Sequence, residues 1–537
     1  MKKYLLLFIF LHLSIISSAQ LAVQWSHVFG GAGSAYDQPK AMTCDLSGNY
    51  FVTLVSQDSA SNADCILTIK YNSAGVQQWA TYYYGPGGST SGSDSPTDIA
   101  VDASGNVYVI GSSPSPGAPS DYVTLKYNSA GVQQWEARYT TPGSYQDIPA
   151  EVAVDNSGNV YVTGWAGSQG TTYGNFVTVK YNASGTEQWN VAFSHGTNYD
   201  DRATSIAIDV AGNVYVGGWS YRATTVDTFK LNVVKYNPSG VQQWASSYTS
   251  SVYYTRAYDI AVDLNGNVFA GGYVSNSINN DEDWFVIKFT SSGQQDWMHQ
   301  LNNSYNKADN VNQLITDAGG NIYATGFTYD SLTYENVLTI KYDNGGNIQW
   351  MKSFDGPSHD TDIGYRILME SNGNVYVAGI TLNANFDFDY LFLKYDNSGN
   401  PVWSFNYDGG TNDDDYTADA VLDGNNDLGV TGYFYNGNDD EAQTIKFSQT
   451  TGLNEKNTTH FVSVYPNPVN SELNIQSREL ITEIKIYDIV GKEVFNSQLQ
   501  TKSNRLKLQT SNYTTGVYFI EIISENKKSI TKFIKTD

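Results

Sequence analysis

Tryptophan stands at positions 25, 79, 135, 189, 244, 297, 350 and 403, so one indole returns every 53 to 56 residues. Self-similarity at that period marks a repeat architecture, in which each unit covers apolar surface that its neighbour cannot cover alone. One pattern fills each interval: an apolar run ending in an acid, a Gly-Asn turn, a Val-Tyr-Val-like run, a variable loop and a run ending in Lys-Tyr. The second unit reads Asp98-Ile-Ala-Val-Asp102, Ser104-Gly-Asn106, Val107-Tyr-Val109, Leu125-Lys-Tyr127 and Gln134-Trp135. Each run has four to seven residues, alternates in polarity and is rich in β-branched and aromatic side chains, which predicts four strands per unit. With 48 Gly and 41 Tyr against 5 Met in 537 residues, composition agrees with an all-β chain of short strands and tight turns.

The turn between the first two strands, Asp-x-x-Gly-Asn, has Asp to start a type I turn and Gly for the left-handed residue that follows, the chemistry of a short hairpin with a bulge. A four-stranded antiparallel sheet cannot cover both its faces, and setting such sheets radially around an axis buries each against the next. Ala100, Ala153, Ala207 and Ala261 in the middle of first strands suit the crowded axis, and the tryptophans suit the wider periphery. The expectation is therefore an eight-bladed β-propeller over residues 20–447. After the eighth Lys strand, Lys446-Phe447, no Trp strand follows, whereas Ala22-Val-Gln-Trp25 precedes the first unit. The N-terminal strand should complete the last blade and remove an open sheet edge.

These units resemble the bacterial β-propeller repeat family, through Asp-x-x-Gly-Asn-Val-Tyr-Val-x-Gly and Ile-Lys-Tyr-Asn-x-x-Gly-x-x-x-Trp. The resemblance implies a fold and an extracellular setting, and eight copies depart from the seven that the family's usual name implies. Residues 448–460 are polar and aperiodic, which predicts a linker. From residue 461 to 537, alternating runs such as Glu483-Ile-Lys-Ile-Tyr487 and Val517-Tyr-Phe-Ile-Glu-Ile522 predict a small immunoglobulin-like β-sandwich. This tail is similar to the type A sorting domain of the type IX secretion system, through Tyr465, Pro466, Asn467 and Pro468, Ile486-Tyr-Asp-Ile-Val-Gly491-Lys492, Gly516-Val-Tyr518, and Lys532-Phe-Ile-Lys535. The likeness implies that the type IX machinery is a partner and that the product is released or held at the cell surface.

The other end of the chain agrees with export. Lys2 and Lys3 precede the apolar run from Leu5 to Leu13 and the small residues Ser17, Ser18 and Ala19, the three regions of a secretory signal over residues 1–19. That run is shorter than the roughly 20 residues of a spanning helix and no later stretch reaches that length, so no transmembrane anchor is expected. Cys44 and Cys65 fall on the first and third strands of one unit, a placement that predicts two buried free thiols. Residues 20–460 hold 18 basic and 46 acidic residues, a formal −28 within a chain of −24. A surface of that sign repels phosphate backbones, and nucleic acid is not an expected partner.

Eight residues before the acid of each first turn stands a further acid: Asp37, Asp94, Asp147, Asp201, Asp309, Asp362 and Asp415, with Thr255 in the fifth unit. Two readings of this ring stand. It can supply oxygen ligands to Ca²⁺, the one ion the pattern suits and the only cofactor considered. Alternatively, each carboxylate accepts backbone N–H groups and fixes the crossover between units, which recurrence in nearly every unit favours. The recurrent Lys of the third strand, from Lys70 to Lys446, is expected to pair with a neighbouring carboxylate.

Function is sought where the repeat breaks. Arg202 and Arg256 follow the ring position in adjacent units, the second beside the missing acid. They form either a cationic spot for an anionic ligand such as an acidic sugar, or two solvated or Asp-paired arginines. Trp165, Trp219, Tyr273, Phe327 and Tyr433 approach the same rim, as faces for stacking on sugars or as packing. Trp284, flanked by Asp281, Glu282 and Asp283, is expected in an exposed loop. Asp423-Gly-Asn-Asn-Asp427 approaches a calcium loop, but Leu428 and Phe434 replace its Gly and its bidentate Glu, which leaves a hairpin. The histidines lack zinc spacing, no nucleophile elbow or phosphate loop is evident, and no catalytic residue is assigned. The favoured expectation is a surface or released binding module for polysaccharide or a surface protein. The alternative is an extracellular enzyme, a glycosidase or lyase, needing two carboxylates at a defined separation.

Overall fold

The alternating runs fold into 37 strands, with no helix among the described residues. The computed structural model describes residues 20–537 except 31–35, 59–62, 89–92, 116–118, 144, 168–172, 223–227, 250–253, 276–281, 303–306, 330–333, 410–412, 438, 451–461, 466–468, 489–491, 525–527 and 537. The expected export signal and most of the expected linker lie outside the described residues. Two compact units are present, one of Ala19–Thr450 and one containing Thr451–Asp537.

The larger unit holds eight four-stranded antiparallel sheets. In seven of them the strands follow in chain order, as in the first: Asp37–Cys44, Tyr50–Asp58, Ala63–Tyr71 and Gln77–Tyr83. The eighth takes Asp415–Leu422, Leu428–Tyr435 and Asp440–Thr450 from one end of the unit and Gln20–Phe29 from the other, with Trp25 opposite Lys446. Successive first strands pack against each other in chain order, and the first strand of the eighth sheet packs against that of the first.

The hairpin chemistry is as the sequence predicts. Asp45 Oδ1 accepts the N–H groups of Ser47 and Asn49, both at 2.9 Å, and Gly48 takes φ +72°. In the eighth sheet the left-handed residue is Asn426, φ +61°, so Asp423–Asp427 turns as a hairpin. Asn tolerates that region better than other residues with a Cβ.

Adjacent sheets are locked by the outer tryptophans. Trp135 Nε1 donates to Ala183 O at 3.1 Å in the next sheet's last turn, and a Cβ on Gly185, at φ +81°, would lie 2.6 Å from the indole. Glycine is therefore required twice over, for its backbone conformation and for the close approach of the ring. Trp25 repeats the arrangement on Ser73 O at 3.2 Å and on Gly75, joining the eighth sheet to the first. Trp403 has no such turn to rest on, because the fourth strand of the eighth sheet arrives from the N-terminus, and its buried Nε1 has no partner among the described residues. Trp135→Ala is expected to cost about 2–3 kcal/mol, below the full range for a buried indole because this one is half-exposed. In urea denaturation, Trp135→Ala and Gly185→Ala should be strongly non-additive. Additive costs would show that ring and glycine do not bear on each other.

The third-strand lysines depart from expectation. Carboxylates pair with Lys394 (Glu370, 2.6 Å), Lys446 (Asp423, 2.9 Å) and Lys288 (Asp296, 2.9 Å). Lys70, Lys126 and Lys180 instead donate to backbone carbonyls of the next sheet's turn, Ser129, Ala183 and Pro238, at 3.0–3.3 Å. Each also lies over an aromatic ring of its own sheet, Phe51, Tyr108 or Tyr161. The neighbouring turn brings a carbonyl to each ammonium, so no acid is needed there. The cysteines are both free, but Cys65 alone is buried; Cys44 is half-exposed.

In the smaller unit, Glu472–Asp488 pairs along its first part with Val462–Tyr465 and along its second with Gly516–Ser524. Glu493–Gln509 pairs with both parts, and Lys528–Lys535 completes one five-stranded sheet. Leu473, Ile475, Ile484, Ile486, Ile520, Ile522 and Phe533 form its core.

Candidate ligand-binding rim and axial carboxylates

The seven ring aspartates are buried at or beside the start of each first strand. In five of them the carboxylate accepts from the chain that leads into that strand. Thr141 N–H donates to Asp147 Oδ2 at 2.7 Å, His195 N–H to Asp201 Oδ2 at 3.1 Å, Gly356 N–H to Asp362 Oδ2 at 2.5 Å and Gly409 N–H to Asp415 Oδ2 at 2.7 Å. In each case the donor lies six residues earlier. Asp94 accepts from Gly85 N–H at 2.7 Å, and Asp309 from Tyr329 N–H at 3.1 Å. Among the described residues no three His, Cys, Asp or Glu side chains gather in a group suited to a metal ion. This geometry is that of a crossover clamp. Burial pushes several of these carboxyls up, Asp362 to about 6 and Asp415 to about 7.

A second polar set, further along the same strands, was not foreseen. A first strand is a sheet edge and leaves alternate N–H groups unpaired. Four residues past the ring position, a polar side chain in five of the eight sheets takes such a group from the next sheet. Val152 N–H donates to Asp98 at 2.9 Å, Ile206 N–H to Glu151 at 2.6 Å, Leu314 N–H to Asp259 at 3.0 Å and Ile367 N–H to Gln313 at 2.8 Å. Met42 N–H donates to Asp419 at 2.8 Å, which carries the belt from the eighth sheet to the first, where Ala41 interrupts it. Ser205 donates to Asp259 at 2.9 Å and Arg366 to Asp419 at 2.7 Å. Burial, and for Glu151 the nearby Asp259 and Asp98, push Asp98, Glu151 and Asp259 upward, while Asp419 holds Arg366 charged. In the sequence this belt shows only as a polar residue interrupting each apolar run. Its partners, 54 or so residues away, carry no local sign.

The structure does bring Arg202, Arg256, Trp165 and Trp219 together. Arg202 lies over Trp165 (5.3 Å to the ring centre) and Trp219 (5.5 Å), with its Nε 2.9 Å from Asp200. Arg256 lies over Phe229 (4.1 Å), Trp219 (4.8 Å) and Tyr273 (5.9 Å). Guanidinium on aromatic faces is a stabilised arrangement that leaves the N–H edges free for a ligand. Among the described residues Arg256 has no carboxylate within 4.0 Å, and its buried Nε has no hydrogen-bond partner. Trp165 and Gly174 N–H also donate to Asp200 Oδ1, at 2.5 and 2.9 Å, so this acid is held among three partners, and Glu282 is a second acid, beside Tyr273 and within reach of the Arg256 charge. Trp284 is a correction: it lies on Glu282–Phe289, fully buried, and donates to Tyr342 Oη at 3.0 Å. Its strand begins earlier than the acidic run suggested, which turns the indole between two sheets. Tyr273 is buried, Phe327 is half-buried, and the half-buried Tyr433 stacks on Tyr416 at 5.2 Å.

Of the tail residues, Tyr518 is buried and stacks on Phe533 at 5.5 Å, Gly516 opens its strand, Lys535 is buried, and Lys492 is exposed at a turn held by Asp488. Pro466, Asn467, Pro468 and Gly491 lie outside the described residues, as do the side chains of Tyr465 and Lys532.

Residues 463–536 match the secretion-system C-terminal sorting domain family, and residues 78–116 and 137–176 match the β-propeller repeat family. An uncharacterised WD repeat-containing protein, L264 of Acanthamoeba polyphaga mimivirus, is 22% identical over 520 residues, covering 78% of this chain and 34% of that protein. The chain thus spans about a third of the length of that relative. Among solved structures, similar folds include the WD40 domain of SCAP from fission yeast, with 10% identity, coverage of 80% and 98%, and TM-score 0.40. The β-propeller domain of the trilobed protease from Pyrococcus furiosus has 9% identity, coverage of 71% and 95%, and TM-score 0.36. No helix of the described residues is long and apolar enough to cross a membrane. The sorting domain implies export and an extracellular or cell-surface location. The chain thus carries β-propeller repeats and, at its C-terminus, the sorting domain of the type IX secretion system.

Proposed function

We propose that the eight sheets make an eight-bladed β-propeller closed by Gln20–Phe29, that the tail is an immunoglobulin-like sorting sandwich, and that the propeller is a secreted binding module for an acidic glycan. One observation carries the ligand class. In a unit of formal charge −28, Arg256 sits on three aromatic rings and, among the described residues, is in ion-pair contact with no acid, Glu282 being the carboxylate that feels its charge. Aromatic faces beside a free guanidinium match a sugar ring bearing a carboxylate. The recurrence of the ring acids in seven sheets and of the belt acids in four, nearly all accepting a backbone N–H, supports scaffold rather than catalysis.

Isothermal titration of the chain with short uronic-acid oligosaccharides should show binding that Arg202→Ala with Arg256→Ala weakens at least tenfold, about 1.4 kcal/mol or more. Neutral oligosaccharides of equal length should not bind. Reducing ends or unsaturated products appearing in the same cell would favour the enzyme reading, with Glu151, Asp98 and Asp259 as its carboxylates. Uronate affinity unchanged in the double variant would remove this proposal.

A further inference from the structure

The propeller unit's basic residues are unevenly placed. Eight of the 17 are the third-strand lysines, which lie over rings or pair near the hairpin end of the sheets. At the opposite end of the fourth sheet, Arg222 closes the second strand, Val214–Arg222, and Lys230 lies near the start of the third, Thr228–Tyr236. Both flank one ring. Arg222 lies 5.5 Å and Lys230 5.4 Å from the centre of Tyr199. Neither has a carboxylate within 4.0 Å among the described residues.

Lys230 donates instead to His195 Nε2 at 3.0 Å, and the other ring nitrogen of His195 meets Asn232 Oδ1 at 3.1 Å. Those two partners fix a neutral imidazole, protonated on Nδ1, because Nε2 must accept from the ammonium. A neutral acceptor orients Lys230 and leaves its charge uncompensated. Tyr199 also forms a wall of a cavity of about 460 Å³, shared with Tyr173, Asn175, Ser194 and Asn198. Asn198 is held at φ +67°. Among the described residues the cavity therefore presents aromatic and amide groups and no acid, beside two cations that have no carboxylate within ion-pair distance.

The site is continuous with the Arg256 rim. Phe229, next to Lys230, carries Arg256 at 4.1 Å on its ring and packs on Tyr221 at 4.6 Å, the residue before Arg222. We infer that Arg222 and Lys230 form, with Tyr199 and its cavity, a second anionic-sugar subsite, and that the ligand is a uronate polymer whose successive carboxylates meet Lys230 and Arg222 at one point and Arg256 at the next. This rests on the acidic-glycan reading above and deepens it: a single charged sugar fills one subsite, whereas a chain fills both. Two linked subsites raise affinity through effective concentration, and the gain falls with salt because the contacts are charged.

The test uses the full chain and uronate oligomers of two and six sugars, titrated at low and at 0.5 M salt. The hexamer should bind wild type at least tenfold more tightly than the dimer, with the gap closing at high salt. Arg222→Gln with Lys230→Gln should bring the hexamer to within about twofold of the dimer. Lys230→Arg should restore most of the gap, and Arg222→Gln alone, at an exposed position, should give an intermediate loss if the double variant folds poorly. Hexamer affinity unchanged in these variants overturns the second subsite while leaving the Arg256 reading intact. Loss of the chain-length effect with Arg256→Ala silent upholds the subsite and overturns that reading. Wild type that binds neither oligomer overturns both.

Discussion

A chain beginning at Gly30 instead of Gln20 should lose the cooperative melting of the larger unit and aggregate. The missing strand pairs along Asp440–Thr450 from Gln20 opposite Thr450 to Phe29 opposite Ala442. Leu21 is buried with Tyr390, Phe392, Ile445 and Phe447, and Trp25 packs edge-on against Tyr50 at 5.5 Å while resting on Gly75 of the first sheet. His27 stacks on Tyr71 at 4.9 Å. Leu21 and Trp25 together bury apolar surface worth about 4–5 kcal/mol, and the ladder adds roughly 0.5–1 kcal/mol per hydrogen bond. The sum approaches the whole stability of an ordinary domain, about 5–15 kcal/mol. Removal also opens a sheet edge bearing Ile445 and Phe447, a template for pairing with other chains. Thermal unfolding with light scattering measures both effects. A synthetic peptide of residues 20–29 should restore the transition by re-adding the strand. A truncated chain that melts as sharply and as high as the longer one would show the strand to be a passive attachment.

That seam was legible because it follows from counting. Eight hairpin turns and eight Lys strands against a missing final Trp strand leave one place for Ala22–Trp25, and turn residues announce themselves through Asp and Gly at fixed offsets. What stayed hidden is what depends on residues of different units meeting. The axial belt joins Glu151 to the N–H of Ile206 and Asp419 to that of Met42, across 55 and 377 residues. Nothing near either partner marks it beyond a polar residue in an apolar run. For the same reason Lys126 reads as an ion-pair partner until a turn carbonyl from the next unit is found beside it. Arg202 and Arg256 were visible because each breaks the repeat at a fixed position. Arg222 and Lys230 lie in variable segments where no repeat exists to be broken, and only the fold places them on one tyrosine. Trp284 failed through composition: three acids in a row suggest a solvated loop, whereas Asp283 and Trp284 are both buried in the strand.

Stability should fall as pH rises from about 4 to 8, with Glu151, lifted to about 8, and Asp415 the two largest sources. Asp415 Oδ2 accepts Gly409 N–H at 2.7 Å, but its buried Oδ1 has no partner among the described residues. Burial, reinforced by Asp408, Asp389 and Asp414, lifts this carboxyl from 3.8 to about 7. The folded chain keeps the proton over a range in which the unfolded chain has released it. Raising the pH through that range therefore draws protons off the folded state and favours unfolding. A shift of this size corresponds to about 3–4 kcal/mol once pH exceeds the folded value. Asp362, lifted to about 6, acts in the same direction. Glu370 opposes them: against the cost of burial, hydrogen bonds from Lys394, Tyr376 and Gln449 hold it at about 2, so its contribution is present above the ordinary carboxylate value and lost only as pH falls towards 2. The balance places maximum stability near pH 4–5. Asp415→Asn keeps an oxygen for Gly409 N–H and removes the charge, so it should raise unfolding free energy at pH 8 by about 2–4 kcal/mol and by less than half as much at pH 5. Urea titrations of both chains at the two pH values decide the matter. An effect independent of pH would mean that Asp415 is already ionised at pH 5 and that its clamp on the crossover works as a charged acceptor, which would assign the ring carboxylates a net stabilising charge instead of a tolerated one.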